Sequence, residues 1–415
     1  MSVRGRLIDA LLGLGLGPRD PLLVLYRRQR LWRAPSRRAQ LGIVLGKPWR
    51  ALRDAAAFVR AKGDGVKALH GVGRFRQFAQ FSWLSFRHSV LPSSSAVQWA
   101  YAVSRPRKWD AWMSAPHCTL LLSELADRSD QDLREIISDK GTFSSWASGK
   151  GLPAVPILAR FGGGTVEGES VEAVASGLPD ADLFAKPTRL TWGVGAARWL
   201  FAGDRTWIAE DGSRVGAHAI VARLCDASTR DPFILQRALR SHPSLAPLAP
   251  SALCTIRCIT FLDAAGEPRL IGGALRLPVG QMIVDNVSSG GMFAGIDPES
   301  GRLTRGFRVR PDRLFELVRT GPDGSTLLAG FPVEQWPAAR ALALAAQRAA
   351  APLPSIGWDI GLAAEGPILI EANIGWSGLT ILLTAEIPLS ETGFPEAFMH
   401  HWRSTEQRRA APPTQ

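Results

Sequence analysis

Cysteine is scarce in this chain, and its scarcity argues against a disulfide-stapled architecture. Among 415 residues the only cysteines are Cys118, Cys225, Cys254 and Cys258. They are too few and too scattered for a disulfide framework in a chain of this length. Cys254 and Cys258 lie in the apolar segment LCTIRCIT, and no second Cys or His pair completes a zinc site. The cysteine content therefore favours a protein of the reducing cytoplasm.

Long uncharged apolar runs are also absent. None reaches the roughly 18 residues that a membrane span needs. The first segment, MSVRGRLIDALLGLGLGPRD, is similar to a signal peptide, but Asp9 splits its apolar part and no small-residue cleavage site follows. We expect a short amphipathic helix there. A hydrophobic content of 46% and a charged content of 21% are typical of a soluble globular protein.

Acidic residues are rare in the first quarter of the chain. Residues 1–110 contain 21 Lys and Arg but only 5 Asp and Glu, whereas the remainder is nearly balanced. The segments YRRQRLWR and RRAQLGIVLGKPWR mix Arg with Trp and Leu, as expected of a segment lying on an anionic membrane surface. Nucleic acid is the competing polyanion, but no nucleic-acid-binding signature is present. A solvated basic region with no partner is the other alternative.

Composition and turn signals divide the chain into four parts. Residues 1–110 are predicted to be a basic, mainly helical region, and residues 404–415 a disordered tail. Between them, short apolar runs bounded by Gly, Asp and Pro predict strands, mixed with helices. We place a boundary near residue 240, which gives parts at 111–240 and 241–403. Several adjacent hairpins indicate an α+β fold with antiparallel sheets.

One hairpin carries acidic residues in an otherwise apolar setting. The runs WDIGL and PILIEAN, separated by Ala-Ala-Glu-Gly, predict two antiparallel strands. An uninterrupted register that pairs Leu362 with Ile368 also pairs Asp359 with Glu371. Like charges at opposite positions are destabilising, since their Cβ atoms lie roughly 5 Å apart. A cation is therefore expected between these two carboxylates.

Asn373 extends this cluster, because it lies two residues beyond Glu371 and shares its face of the strand. The side chains of Asp359, Glu371 and Asn373 offer hard oxygen ligands. Such ligands suit Mg²⁺ shared with phosphate groups, for which one or two carboxylates are enough. The alternative is a solvent-facing hairpin with ordinary surface acids.

A second motif is typical of phosphate binding. The segment LFAKPTRLTWGVGAARW places Lys186 at the end of an apolar strand and follows it with Gly193 and Gly195. Glycines let backbone amides approach phosphate oxygens, and a lysine supplies a point charge. Upstream, Lys140 precedes a helix that is predicted to end at Gly-Leu-Pro.

In this order, the motifs resemble those of the ATP-grasp superfamily of carboxylate-amine ligases. They are Lys140, GLPAVP, FAKP with its glycine-rich loop, FILQRAL, and the segment from WD to EGPILIEAN. TIRCIT, GALRLP and VDNVSSGG are most similar to the branch of sugar-transfer associated ATP-grasp proteins, related to the α-L-glutamate ligases. The resemblance covers about residues 111–400. It implies two α+β lobes with antiparallel sheets that grip ATP, preceded here by the basic helical region.

The resemblance also implies roles for individual residues. Lys140 and Lys186 would contact the nucleotide phosphates, and the loop with Gly193 and Gly195 would close over them. Leu235 and Gln236 would bind adenine, and Asp359, Glu371 and Asn373 would bind Mg²⁺. Arg257 and Arg276 would stabilise the transferring γ-phosphate or the acyl phosphate, and the alternative for Arg257 is a buried structural arginine paired with a carboxylate. Asn286, with Gly290 and Gly291, would line the acceptor side of the cofactor site.

Two departures from relatives stand beside the resemblance. Gly357 occupies the position where related D-alanine ligases carry an arginine, and IGWSGL replaces the usual continuation after Asn373. The predicted activity is ATP-dependent formation of an amide or ester through an acyl phosphate, with a carboxylate substrate and an amine or hydroxyl acceptor. The substrate is expected on a cell-envelope polysaccharide or a lipid-linked sugar at the inner membrane. The alternatives are a non-catalytic nucleotide-binding scaffold and an ATP-dependent sugar kinase.

Overall fold

The computed structural model describes most of the chain. The described residues are 33–88, 91–101, 115–190, 193–249, 252–280, 290–385, 387 and 389–410, together with Leu22, Leu25, Tyr26 and Gln29. Within these ranges, no helix is long and apolar enough to span a membrane.

The N-terminal region is helical, as predicted. Its described helices are α1 (Arg37–Leu45), α2 (Lys47–His70), α3 (Arg74–His88) and α4 (Ser94–Tyr101). Buried Ala55, Val66 and Phe81 form a small core with Leu314, which comes from the C-terminal part of the chain. The basic region is therefore packed on the rest of the fold through apolar contacts.

One seven-stranded sheet lies in the middle of the chain. The strand order is β2-β1-β7-β3-β4-β5-β6, and every pair is antiparallel. Helices α8 (Val171–Gly177) and α9 (Ala217–Ala227) accompany it. The strands are β1 (Ile157–Gly162), β2 (Thr165–Val166), β3 (Leu183–Pro187), β4 (Ala197–Gly203), β5 (Thr206–Ile208), β6 (Arg214–Gly216) and β7 (Phe233–Arg237).

The second seven-stranded sheet is formed by the C-terminal part. Its order is β12-β11-β10-β9-β8-β13-β14, again with only antiparallel pairs. Its strands are β8 (Thr255–Leu262), β9 (Pro268–Leu277), β10 (Met292–Ile296), β11 (Leu303–Val309), β12 (Phe315–Val318), β13 (Ser355–Ala363) and β14 (Gly366–Asn373). Two antiparallel sheets accompanied by helices confirm the predicted α+β class.

Helices cover the second sheet and link it to the first. They are α5 (Ala115–Ser129), α6 (Gln131–Ser138), α7 (Lys140–Gly149), α10 (Trp336–Ala349), α11 (Leu379–Ala385) and α12 (Phe394–Ala410), with 3₁₀ turns at Pro243–Leu245 and Leu389–Glu391. Phe143 of α7 belongs to the same buried cluster as Trp358 of β13. Helix α7 therefore lies where the first sheet meets the second, although it belongs to the predicted 111–240 part.

The predicted disordered tail begins too early. Helix α12 continues to Ala410, and only residues 411–415 of the predicted tail lie outside the described residues. Thr405 is buried, and the Trp402 indole donates a hydrogen bond to Glu406. The composition of RRAAPPTQ does not reveal this helix, which also packs on a segment distant in sequence: the Arg128 guanidinium of α5 lies over the Trp402 ring, 4.1 Å from its centroid.

Candidate active site

The predicted acidic hairpin is present, and its strands pair in the predicted register at Asp359 but not nearer the turn. Asp359 pairs with Glu371, but Ile360 pairs with Leu369 and Leu362 with Pro367. The predicted pairing of Leu362 with Ile368 is therefore wrong. A β-bulge leaves Ile370 as an extra residue of β14 between the two registers.

The bulge explains how one strand serves a core and a polar site. Leu369 and Glu371 are two residues apart and would share one face of a regular strand. With Ile370 inserted, Leu369 packs in the buried cluster, while Glu371 stands opposite Asp359. The Asn373 amide lies 3.4 Å from the Glu371 carboxylate. The three predicted metal ligands are therefore brought together.

Two arginines from neighbouring strands hold Asp359. Its side chain is 5% exposed, and Arg257 of β8 binds it through Nε and Nη2, the latter at 3.0 Å. Arg276 of β9 donates from Nη1 at 3.1 Å. Burial alone would raise the pKa of Asp359, but the two guanidiniums outweigh it and hold that pKa well below its usual range. Asp359 therefore stays ionised between the two guanidinium groups.

Arg257 and Trp376 fill the space above Gly357. A Cβ built on Gly357 would lie 3.4 Å from Arg257 Cδ and 3.0 Å from Trp376 Cβ. The stem of Arg257 therefore passes over Gly357 from the adjacent strand, and its guanidinium reaches Asp359. Trp376, from the unusual IGWSGL segment, is buried and donates its indole N–H to Ser355. The space above Gly357 is filled, so a larger residue there would require Trp376 or the Arg257 side chain to shift.

Lys186 approaches the hairpin from the first sheet. It lies in β3, is 9% exposed, and its Nζ is 3.5 Å from the carbonyl oxygen of the bulge residue Ile370. Burial lowers its pKa to about 8, partly opposed by the nearby Glu371 carboxylate and reinforced by Lys140. The bulge thus turns a backbone acceptor toward a lysine of the other sheet.

Lys140 connects three elements at the same place. It is the first residue of α7, and its Nζ lies 3.5 Å from Glu371 Oε2 and donates to the Leu190 carbonyl at 2.7 Å. Asp139 caps the helix by accepting hydrogen bonds from the backbone of Gly141 and Thr142. Sequence reasoning missed this cap, although an Asp directly before Lys-Gly-Thr is a helix-start signal.

The predicted phosphate loop starts beside Lys140. Gly193 and Gly195 adopt positive φ angles of 73° and 78°, a conformation that glycine tolerates best. Residues 191 and 192 between Leu190 and this turn lie outside the described residues. The contact of Lys140 with Leu190 brings the start of the loop to the acidic hairpin.

The predicted adenine-binding residues lie in the centre of the first sheet. In β7, Leu235 pairs with Ala159 on one side and with Ala185 on the other. Gln236 is buried and donates to the Val155 carbonyl at 2.9 Å. Their nucleotide role stays a prediction, and the backbone of Leu235 is flanked by strands on both sides.

The predicted acceptor residues are only partly described. Asn286 lies outside the described residues. Gly290 has a φ of 103°, and the Gly291 carbonyl accepts a hydrogen bond from the Val309 backbone at 3.2 Å. Their acceptor role also stays a prediction.

The oxygen donors of the hairpin fit a magnesium ion shared with phosphates. In the described part of the chain, no three His, Cys, Asp or Glu side chains cluster in a way that could hold a metal. Here two carboxylates and one amide converge, and Mg²⁺ commonly uses one or two carboxylates together with substrate phosphates. Glu371 is 28% exposed and is the more accessible carboxylate, whereas Asp359 is shared with two arginines.

The balance of charge favours an anionic ligand. Lys140, Lys186, Arg257 and Arg276 contribute four cations, and Asp359 with Glu371 contributes two anions. Lys186 comes from β3 of the first sheet, Arg257 and Arg276 come from β8 and β9 of the second sheet, and Lys140 comes from α7. Cations converging on one small region attract a polyanion.

Three similar solved structures share little sequence with this chain. A D-alanine–D-alanine ligase from Bacillus anthracis shows 12% identity over 68% of this chain and 72% of its own, with a TM-score of 0.39. The D-cycloserine synthetase DcsG shows 18% identity over 72% and 81%, also with a TM-score of 0.39. An ADP complex of the N5-carboxyaminoimidazole ribonucleotide synthetase purK shows 13% identity over 64% and 56%, with a TM-score of 0.36. No curated protein matches the chain.

The family assignment comes from a family model. The model of the sugar-transfer associated ATP-grasp proteins matches residues 127–389. This range spans the helices that present Lys140, both sheets and the acidic hairpin, and it includes more than half of the 415 residues. The chain therefore belongs to the sugar-transfer associated ATP-grasp family.

Proposed function

We propose that this protein is an ATP-dependent, ADP-forming ligase that joins a carboxylate to an amine or hydroxyl acceptor through an acyl phosphate. Family membership supports an ATP-dependent ligase at the general level. The observation that supports the specific chemistry is the meeting of Lys140 and Lys186 with the Asp359–Glu371 pair between the two sheets. Cations facing paired carboxylates suit a triphosphate shared with a divalent ion.

The proposed reaction has two steps. An oxygen of the substrate carboxylate attacks the γ-phosphorus, the bond from the γ-phosphorus to the β–γ bridging oxygen breaks, and ADP leaves. The acceptor nitrogen or oxygen then attacks the acyl carbon, its proton is lost, and inorganic phosphate leaves. No side-chain nucleophile takes part, so the protein acts by position and charge.

The residues near the acidic hairpin each have a role in this proposal. Lys140 and Lys186 hold the phosphates, and the loop with Gly193 and Gly195 covers them. Arg257 and Arg276 place positive charge beside Asp359, where they stabilise charge on the transferring group. Glu371, Asn373 and Asp359 would hold Mg²⁺, which neutralises phosphate charge when bound.

We further propose that the carboxylate or the acceptor is carried on a sugar-linked envelope precursor at the inner face of the membrane. The basic, Trp-rich residues 1–110 and the family description support this substrate class. The scaffold and sugar-kinase alternatives use the same nucleotide site, and they differ in what they release.

The nucleotide site is tested by replacing Glu371 with Gln. In wild type, Mg²⁺-ATP at about 100 times its dissociation constant should raise the free energy of unfolding by about 2.7 kcal/mol. We expect Glu371→Gln to bind Mg²⁺-ATP at least about tenfold more weakly, because a carboxylate ligand is lost, equivalent to roughly 1.4 kcal/mol. Thermal shift with and without Mg²⁺-ATP measures both.

Glu365→Gln is the matched control, because Glu365 is exposed in the turn of the same hairpin. It should bind as wild type does, and equal binding by Glu371→Gln would contradict the proposed site. Hydroxylamine trapping then separates the functions. A ligase gives an acyl hydroxamate with ADP release that depends on a carboxylate, a kinase releases ADP with a sugar alone, and a scaffold binds ATP without turnover.

A further inference from the structure

The N-terminal helices carry an apolar stripe, and only part of this stripe is buried against the rest of the protein. Gly46 has helical dihedral angles, φ −77° and ψ −1°, between α1 and α2. Its N–H bonds to the Gly42 carbonyl, and the Arg50 N–H bonds to the Gly46 carbonyl, both with helical spacing. Leu45, Trp49 and Leu52 therefore follow one another at helical intervals along one face.

Burial changes along this stripe. Further along α2, the same spacing continues through Ala55, Val59 and Val66, which are all buried. Toward the start of α2 the exposed fraction rises from 43% at Leu52 to 68% at Trp49 and 74% at Leu45. One end of the stripe is packed on the protein, and the other end faces solvent.

Helix α3 adds to the exposed end. Trp83, near the end of α3, is 51% exposed. Between α2 and α3 lies a groove of about 260 Å³, lined by Pro48, Ala51, Leu52, Ser82, Trp83 and Phe86. Its lining is almost entirely apolar. A concentrated apolar surface on one face of a monomer is characteristic of an interaction site.

Cations surround this apolar face. Arg37 and Arg38 of α1 are exposed, and Lys47 lies over the Phe86 ring at 5.4 Å. Arg53 of α2 is exposed as well, but it forms an ion pair with Asp54 at 2.9 Å. Helices α1 and α3 contain no acidic residue, and the first acid of α2 is Asp54, beyond the exposed apolar residues. The face therefore combines exposed Trp and Leu with a basic border.

We propose that the face formed by Leu45, Trp49, Leu52 and Trp83 docks on the headgroup layer of an anionic lipid bilayer. The apolar side chains enter the interface, and the arginines contact lipid phosphates, which is the arrangement of interfacial amphipathic helices. Nucleic acid would also attract the cations, but it offers no apolar layer that Leu45 and Leu52 could enter. This surface would serve the function proposed above, and its biological purpose rests on that function. The added point is which surface of the protein faces the membrane.

The test compares binding of the full-length protein to phosphatidylcholine vesicles with and without phosphatidylglycerol. We expect wild type to co-sediment with the anionic vesicles, and to do so less as salt rises, because the cationic contribution is screened. The double variant Trp49→Ser, Trp83→Ser should lose at least about tenfold in partitioning. Phe75→Ser is the matched control and should bind as wild type, since Phe75 is 84% exposed but lies at the opposite end of α3.

Three outcomes would overturn the proposal. The first is a wild type that ignores anionic vesicles or binds neutral ones equally well. The second is an equal loss in Phe75→Ser and the double variant. The third is a wild-type dimer that the double variant abolishes, because the face would then bind a second copy. Stabilisation by Mg²⁺-ATP should be unchanged in the double variant, so failure here is separable from failure of the nucleotide site.

Discussion

Lys186 shows how much of the site rests on single buried charges. A lysine that is 9% exposed normally loses its proton more easily, because burial disfavours the ammonium ion. The Glu371 carboxylate limits this effect, and the pKa falls only to about 8, from an ordinary value of 10.5. Lys186 therefore stays mostly protonated at neutral pH.

The pH dependence of nucleotide affinity follows from this value. As pH rises through about 8, Lys186 loses its charge and we expect the affinity for Mg²⁺-ATP to fall. Lys186→Arg should remove this fall, since arginine stays protonated throughout that range. Binding titrations at pH 7, 8 and 9 measure it, with Lys150→Arg as the control because Lys150 is exposed. An affinity of wild type that does not change over this range would contradict the role of Lys186.

The lowered pKa of Lys186 also affects the free energy of unfolding, which changes with pH in the direction opposite to nucleotide affinity. Between about pH 8 and 10.5 the unfolded chain keeps the Lys186 proton that the folded protein has lost. The contribution of this group to the free energy of unfolding therefore rises with pH across that window. Nucleotide affinity and unliganded stability should thus change in opposite directions, and a nonspecific effect of alkali would not produce that pattern.

At the scale of elements, the site depends on side chains that cross between strands. Asp359 of β13 is held by arginines of β8 and β9, and Arg257 passes over Gly357. Arg257 thus brings a guanidinium to Asp359 from the adjacent strand. A glycine fits best there because a Cβ would lie 3.0 Å from Trp376 Cβ and 3.4 Å from Arg257 Cδ.

Gly357→Ala tests this arrangement. The added Cβ would lie 3.0 Å from Trp376 Cβ, so either the indole or the Arg257 stem must move. We expect the free energy of unfolding to fall by about 1–3 kcal/mol, and hydroxamate formation to fall with it. Urea unfolding and the trapping assay measure the two effects. Gly149→Ala in α7 is the control, because a Cβ there has no neighbour within 4 Å, and a Gly357→Ala protein as stable as this control would disprove the crowding.

The sequence predicts the elements of the site better than their contacts. Apolar runs of strand length predict β3, β7, β13 and β14, and the predicted pairing of Asp359 with Glu371 is confirmed. The predicted pairing beyond the bulge is wrong, because the burial of Leu369 is set by the core and not by local alternation. The pairing of Asp359 with Arg257 and Arg276 could not be derived, since it depends on the order of strands in the sheet.

At the scale of the whole molecule, the basic N-terminal helices and the C-terminal sheet are joined by a small apolar contact. Leu314, directly before β12, is fully buried among residues of α2 and α3. The Gln98 amide of α4 donates to the Phe315 carbonyl in the same place. The orientation of the proposed membrane face relative to the active site depends on this contact.

Leu314→Ala tests that contact. Removing a fully buried leucine side chain should lower the free energy of unfolding by about 2–5 kcal/mol, and it should loosen the helices from the sheet. Limited trypsin digestion should then cut faster within residues 37–101, where Arg and Lys are frequent. Leu327→Ala is the matched control, because Leu327 is 65% exposed in the same part of the chain. Indistinguishable digestion of the two variants would show that Leu314 does not fasten the helices.

The extra residue in β14 has a consequence for comparing this chain with distant relatives. An alignment without gaps through the hairpin assumes equal strand lengths, so it would be displaced by one position on one side of Ile370. Against a relative whose hairpin is regular, such an alignment would match Glu371 to a residue of the hydrophobic interior. A single-residue insertion at Ile370 is therefore the correct way to superimpose the two halves of this hairpin on an unbulged one.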